Sequence, residues 1–162
     1  MTDDTRPRGI TIREATPDDA EIICRQRLAM FEDVWGDLDP GAVAAMEATF
    51  VPWVRRGLID GAYRGWLACD GDGCVVAGGG LIVHEWMTSP RNSDSRRAYI
   101  ANIYTKPAYR SQGVARCIMN AILDWCRGEG FKGVALHASP YGRPLYESLG
   151  FEPTNEMRLN LE

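Results

Sequence analysis

The chain has 162 residues, a formal net charge of −4 and five cysteines. This length suits one domain whose own core is large enough to fold without disulfides or metals. Mild acidity argues against nucleic acid as the main partner, because proteins that bind it present a basic face. The N-terminus lacks an apolar signal core and no stretch approaches a membrane span, so we expect a cytoplasmic protein with no membrane partner.

Nothing in the composition divides the chain, so we expect one domain over residues 1–162, with residues 1–9 as a flexible polar tail. The cysteines form no C-x-x-C pair, and only His84 and His137 could join them, which does not make a metal site. A reducing cytoplasm disfavours a disulfide between Cys69 and Cys74. The D-G-D-G sequence between those cysteines lacks the full ligand set of a calcium loop, and we interpret it as a turn.

The first half of the chain predicts a strand followed by two helices. Residues 10–15 alternate apolar and polar positions, as a half-buried strand does. Thr16 and Pro17 resemble the start of a helix, and Gly36 to Pro40 interrupt it. A second helix is predicted from Gly41 to about Arg56, with a break at Pro52.

A hairpin and a loop follow. Residues 63–69 and 75–85 predict antiparallel strands, and the run Gly78, Gly79 and Gly80 predicts a bulge or bend in the second of them. Residues 87–97 are polar and predict a loop.

The second half opens with a strand, a turn and a helix. Residues 99–105 are aromatic and β-branched, as in a strand, and Lys106 and Pro107 end it. A helix is predicted from the spacing of four apolar residues: Val114, Ile118, Ile122 and Trp125. The first-turn N–H groups of such a helix lack internal partners and carry partial positive charge, so the turn before it can bind a phosphate. Gly113 lets the anion approach the backbone closely.

This turn contains neither G-x-x-x-x-G-K-[ST] nor G-x-G-x-x-G. It resembles the R/Q-x-x-G-x-G/A signature of the GNAT N-acetyltransferase superfamily, which binds the pyrophosphate of acetyl-CoA. Residues 99–161 follow the order of that family's second half: strand, T-K-P-A-Y-R-S-Q-G-V-A turn, helix, short strand through His137, G-R-P-L-Y-E-S-L-G-F, closing strand. The resemblance implies a single-domain α/β (α+β) fold. Its mixed, mostly antiparallel sheet of six to seven strands would be flanked by about four helices and split between the fourth and fifth strands.

The resemblance also implies acetyl-CoA as a cosubstrate, and no metal. The arm of the cofactor would pair with the strand that contains Ile103, and its pyrophosphate would lie on the turn. The implied cofactor-binding residues are Ile103, Tyr104, Thr105, Arg110, Ser111, Gln112, Gly113, Val114, Ala115, Arg116, Ser139 and Arg143. For Ser139 the alternative is an N-cap of the next helix, and for Arg143 an exposed place on its face.

Tyr146 stands in L-Y-x-x-L-G-F, where many family members carry a tyrosine that protonates the CoA thiolate. A phenol with an ordinary pKa of about 10 keeps its proton at neutral pH and can fill that role. The alternative for Tyr146 is a core aromatic, while Gly150 is expected to end the helix.

The family's general base has no counterpart here, because Ala101 occupies the position of the usual strand glutamate and Asn102 follows it. We expect Glu85 to take the amine proton, with His84 or a water relay as alternatives. The alternative for both side chains is that they are ordinary strand-end residues.

The function implied is direct transfer of acetyl from acetyl-CoA to a primary amine of an unidentified small-molecule or peptide acceptor. A non-catalytic acyl-CoA binding or sensing module is the alternative, and a longer acyl donor or an oxygen acceptor is a third reading. The resemblance also leaves a homodimer open.

Acceptor specificity is expected in the two N-terminal helices and in the loop of residues 87–97. Four carboxylates near Trp35 could hold a cationic amine there: Glu32, Asp33, Asp37 and Asp39. The alternative is a solvated helix end with a buried Trp35.

Overall fold

The computed structural model describes residues 7–162, so most of the predicted tail, residues 1–6, lies outside the described residues. Of the remaining tail, Pro7 accepts a hydrogen bond from the Ile10 N–H (3.2 Å), just before the first strand. None of the helices in this part of the chain has the length and apolar character needed to cross a membrane.

The described chain contains five strands and four α-helices. The strands are β1 (Thr11–Glu14), β2 (Tyr63–Cys69), β3 (Val75–Glu85), β4 (Arg96–Thr105) and β5 (Val134–Leu136). The helices are α1 (Ala20–Trp35), α2 (Pro40–Asp60), α3 (Val114–Gly128) and α4 (Arg143–Ser148). Short 3₁₀ turns occupy Pro17–Asp19 and Pro107–Tyr109.

The strands form one mixed sheet in the order β1-β2-β3-β4-β5, antiparallel except for the parallel pair of β4 and β5. Helices cover both faces, with α1 and α2 on one and α3 on the other. The last two strands pair only from Ala98 opposite Val134 to Ile100 opposite Leu136. Beyond that point they separate, so the predicted fold class and the split between the fourth and fifth strands are confirmed.

The predicted strand count of six to seven is wrong for the described chain, which has five. The missing element is the closing strand, because residues 151–162 belong to no strand. Met157, Leu159 and Leu161 do alternate with polar residues, but all three are exposed. Alternation favours a strand only when a neighbouring edge satisfies its backbone groups, and this segment pairs with none in the described chain.

Both N-terminal helices depart from their predicted bounds. Helix α1 begins at Ala20, because a 3₁₀ turn occupies the predicted first turn. Helix α2 continues through Pro52 to Asp60 and ends at Gly61, whose φ is +83°. Tertiary packing keeps the helix intact in spite of the proline. After Pro52, Val54 is fully buried, and Gly57 lies so close to β2 that a Cβ on it would be 2.7 Å from the Tyr63 Cβ.

The hairpin of β2 and β3 has its predicted bounds, and the predicted irregularity at the glycine run is confirmed. The register between β3 and β4 shifts between Gly78 and Gly80. A Cβ on Gly78 would collide with Gln26 of α1, and one on Gly80 would collide with the Tyr63 phenol. Glycine therefore lets polar side chains lie directly on the strand.

Helix α3 presents the predicted apolar face to the sheet. Its residues Val114, Ile118, Met119 and Ile122 are all buried in one cluster with β2, β3 and β4. This packing fixes the start of α3 against the end of β4, and so positions the turn between them.

Candidate active site

The turn between β4 and α3 has an unusual backbone. Ser111 has φ +58° and Gly113 has φ +82°, so left-handed residues alternate along it. Such alternation turns successive N–H groups toward one side and creates a concave site for an anion. Serine tolerates this conformation less well than glycine, so surrounding contacts must hold Ser111 in place.

The backbone donors of this turn have no partner in the described part of the chain. Within residues 7–162, the N–H groups of residues 111–116 make no backbone hydrogen bond, and the first one used is that of Cys117, which bonds to the Gly113 carbonyl (3.1 Å). The turn therefore offers a row of donors at the positive end of a helix, as the sequence predicted for a phosphate site.

Side chains of the turn mostly brace it. Gln112 Nε2 donates to the Ala108 carbonyl (2.9 Å). Arg110 donates through Nε to the Thr105 carbonyl (2.8 Å) and through Nη2 to Asp33 of α1. Arg116 donates to the Ser148 hydroxyl (2.7 Å), and no carboxylate of residues 7–162 pairs with it. Of the two turn arginines among the predicted cofactor-binding residues, Arg110 is paired with a carboxylate and Arg116 is not paired with one in the described chain.

One edge of β4 is free beside this turn. Because β5 pairs only as far as Ile100, residues 101–105 face no strand of the described chain on that side. The Ile103 side chain points toward α3, so its backbone is what the edge presents. Thr105 Oγ1 is buried and has no hydrogen-bond partner in the described chain. An extended amide chain can add to such an edge as a strand does.

A β-bulge lies just past the split. Asn102 and Ile103 stand opposite the single residue Gly79, and Asn102 has φ +58°. Its buried side chain accepts from Arg27 Nη1 (2.7 Å) and donates to the Tyr63 hydroxyl (3.0 Å). Burial raises the pKa of Tyr63 to about 12, so the phenol stays protonated. The bulge thus places a neutral amide, hydrogen-bonded on both its oxygen and its nitrogen, directly after Ala101, where the family has its strand carboxylate.

A histidine that we did not select from the sequence stands at the split itself. His137 follows β5 directly, and its Nδ1 is hydrogen-bonded to the hydroxyl of Tyr99 on β4. Arg158 Nη2 lies 3.3 Å from the other ring nitrogen, Nε2. Since arginine can only donate, Nε2 holds the lone pair and Nδ1 carries the proton in the neutral ring. The position of His137 beyond a short strand was visible in the sequence, but its partner was not.

The predicted base lies elsewhere. Glu85 is opposite Arg96, five residues before Ala101 on β4, a separation of roughly 17 Å along the strand. His84 is opposite Arg97 and packs its ring edge against Trp86 (5.9 Å). The fold therefore brings neither side chain to the split.

The predicted acid, Tyr146, is buried on α4. Its ring packs against Phe151 (centroids 6.0 Å apart) and against Gly142. Burial raises the pKa of the phenol, and the hydroxyl makes no hydrogen bond to another described residue. Tyr146 is thus a core aromatic whose hydroxyl is still available to an outside partner.

The two remaining predicted cofactor contacts already have partners. Ser139 Oγ accepts from the Gly142 N–H (3.1 Å), so it caps the turn before α4, whereas the N-cap of the helix itself is Gly142 and not Ser139 as the alternative expected. Arg143 Nε donates to Glu147 one helical turn later (2.6 Å) on the exposed side of α4.

Two of the four acidic residues near Trp35 bind groups of the protein itself. Asp39 accepts from the Ala42 N–H (2.9 Å) and caps α2, and Asp33 binds Arg110. Trp35 is 68% exposed and stacks on Phe31 with centroids 4.7 Å apart, so the expectation of a buried Trp35 is wrong. Phe31 lies one helical turn before Trp35, so the two rings can stack on the surface of α1 while Trp35 stays exposed.

Comparisons with known proteins agree with this geometry. Residues 24–151 match the family described as Acetyltransferase (GNAT) family. An aminoglycoside N(6')-acetyltransferase type 1 of Stenotrophomonas maltophilia is 24% identical over 151 residues, which are 91% of this chain and 89% of the relative.

Solved structures agree as well. A GCN5-related N-acetyltransferase from Ralstonia eutropha JMP134 superposes with a TM-score of 0.85 at 36% identity, covering 94% of this chain and 99% of that one. A predicted acetyltransferase from Clostridium acetobutylicum, solved with acetyl-CoA, has a TM-score of 0.84 at 22% identity, covering 94% of this chain and 96% of its own. With most of its length matched by the family, this chain belongs to the GNAT acetyltransferases.

Proposed function

We propose that the protein transfers an acetyl group from acetyl-CoA directly to a primary amine. The observation that carries this proposal is the row of unpaired N–H groups at residues 111–116, next to the unpaired edge of β4 at residues 101–105. A pyrophosphate and an amide-containing arm need these two kinds of backbone partner side by side.

The described residues fit acetyl-CoA. The N–H groups of the turn and the charge of Arg116 suit its pyrophosphate, and the buried, unpartnered Thr105 hydroxyl suits a polar group of its arm. Acetyl-CoA supplies the acetyl group as a reactive thioester, so the protein needs no covalent intermediate of its own.

We assign the acid role to Tyr146. A departing thiolate needs a proton, and the raised pKa of the buried phenol means that Tyr146 holds one throughout the neutral range. Its hydroxyl makes no hydrogen bond to another described residue, so none must be broken when it donates.

We assign the base role to His137 rather than to Glu85. An amine attacks only after losing its ammonium proton, and the His137 ring stands where β4 and β5 part. Tyr99 fixes the ring by accepting from Nδ1–H, and the Nε2 lone pair takes the proton once the acceptor has displaced Arg158 from it.

The experiment has two independent readouts. Acetyl-CoA binding is measured by calorimetry, and release of free CoA thiol is measured across a panel of primary amines. We expect binding together with amine-dependent release. Tight binding without release for any amine would identify a non-catalytic acyl-CoA module instead, and absence of binding would remove the site altogether.

A further inference from the structure

Arg27 of α1 lies beside the part of β4 that follows its pairing with β5. Its Nη1 donates to Asn102 Oδ1 (2.7 Å), and Asn102 lies two residues beyond Ile100, the last β4 residue that pairs with β5. The guanidinium is therefore one hydrogen bond away from the strand along which the acetyl group would lie.

The charge of Arg27 is uncompensated within residues 7–162. Seven other arginines of that part of the chain pair with a carboxylate: Arg13, Arg55, Arg64, Arg96, Arg110, Arg127 and Arg143. Arg27 lies between two rings instead, 4.7 Å from the Phe31 centroid and 5.4 Å from that of Phe50. Partial burial lowers its pKa, which reflects the unfavourable desolvation of a cation that has no anion beside it.

The remaining donors of Arg27 are unused. Nη1 binds Asn102, whereas Nε and Nη2 make no hydrogen bond to a described residue. Neither of these nitrogens is sealed from solvent, in contrast to Arg64 Nε, which is buried without a partner. Nε and Nη2 form one edge of the planar guanidinium, and this edge matches the two oxygens of a carboxylate.

A second donor near Arg27 also lacks an acceptor in the described chain. Gln26, the preceding residue, is 7% exposed and lies against Gly78 on the same face of the sheet. Its Nε2 is buried with no hydrogen-bond partner in the described chain. Buried donors of this kind are normally satisfied, so a polar acceptor is missing from this region.

We propose that Arg27 binds a carboxylate of the acceptor, so that the substrate is an amine that also carries a carboxylate, as an amino acid does. This inference rests on the proposed acetyl transfer and names its substrate class. The neighbouring aromatic rings, Phe31 and Phe50, would contact the apolar part of such an acceptor. A polycationic acceptor would instead meet an unpaired positive charge, because Asp33 is already bound to Arg110.

The test compares amino acids with their own amides. Each L-amino acid and its amide share the amine and the side chain and differ only in the carboxylate. We expect kcat/KM to be at least about ten-fold higher for the acid, as is ordinary for a bidentate charged contact. In Arg27→Gln this ratio falls toward one. Arg25→Gln, which changes an exposed arginine of the same helix, keeps it.

The outcomes separate the two proposals. If amides react as well as acids in the unchanged protein, the carboxylate proposal is overturned and acetyl transfer stands. If no amine of any kind releases CoA, acetyl transfer itself fails. If Arg27→Gln slows acids and amides equally, Arg27 only positions Asn102, and the carboxylate proposal is again overturned.

A binding readout covers the case in which Arg27→Gln does not fold. Calorimetry of the unchanged protein with CoA compares N-acetylphenylalanine with N-acetylphenylalanine amide. Tighter binding of the acid supports the proposal, and equal binding overturns it. Arg27→Lys retains the charge but not the paired edge, and should lose most of the preference.

Discussion

The two halves of the chain contribute different kinds of groups to the candidate site. In the second half, from β4 to α4, the site consists mainly of backbone: the N–H groups of residues 111–116 and the free edge of β4. In the first half it consists of side chains that α1 brings to the sheet, above all Arg27. Backbone geometry follows from a short local sequence, whereas side-chain partnerships depend on how distant elements pack.

This difference predicts where substitutions act. Changes to the backbone site or to the side chains that bind it should alter acetyl-CoA affinity, changes at the split should slow the reaction, and changes at Arg27 of α1 should alter the choice of acceptor. Each of the following experiments tests one of these assignments.

The largest effect is expected at the split. His137→Gln removes the proposed base and should lower kcat by about 100-fold or more, the range usual for general base catalysis. Acetyl-CoA affinity, measured by calorimetry, should not change. Tyr99→Phe loses only the hydrogen bond that orients the ring and should have a smaller effect. An unchanged kcat in His137→Gln would move the base away from the split.

Tyr146→Phe should lower kcat by about 50-fold, at the lower end of general acid effects, because water can partly replace the phenol. Burial raises the pKa of the phenol, so Tyr146 loses its proton at a higher pH than a free tyrosine does, and this group gives no decline of activity in the neutral range. A thermal melt distinguishes lost chemistry from lost packing, since Tyr146 is buried. Equal losses of kcat and acetyl-CoA affinity would show a structural role alone.

Gly113→Ala tests the backbone site. At φ +82° an L-residue is strained by about 1–2 kcal/mol, so acetyl-CoA should bind about ten-fold more weakly while kcat at saturation stays the same. Gly128→Ala is the matched control, because Gly128 has ordinary helical geometry and open space around it. If both variants bind acetyl-CoA as the unchanged protein does, the turn does not hold the pyrophosphate.

The contrast between local backbone geometry and long-range side-chain contacts also explains which features could be predicted from the sequence. The turn, helix α3 and the β2–β3 hairpin were predicted because local spacing and glycine positions determine them. The proposed base was not predicted, because the hydrogen bond of His137 with Tyr99 joins residues 38 positions apart across a parallel strand pair. Glu85 was selected for its strand end, but the antiparallel register carries that end away from the split.

The predicted closing strand is an element that the sequence pattern favoured and the structure does not form. Its alternating pattern was present in the sequence, yet residues 151–162 join no strand of the described sheet. A pattern records which side chains can share a face, and it does not supply the neighbouring edge that a strand needs.

The smallest expected effect concerns the ion pair that joins the two halves. Asp33 of α1 holds Arg110 of the cofactor turn, and both side chains are partly exposed. Asp33→Asn releases Arg110, whose charge could then face the pyrophosphate, so acetyl-CoA affinity should rise by about two- to three-fold at low salt. The gain should shrink as salt is added, because a contact between exposed charges is screened. Glu32→Asn is the control, since it changes a neighbouring exposed carboxylate that binds no arginine of the described chain. A loss of affinity in Asp33→Asn would mean that the ion pair shapes the turn, and that the halves are coupled through its backbone.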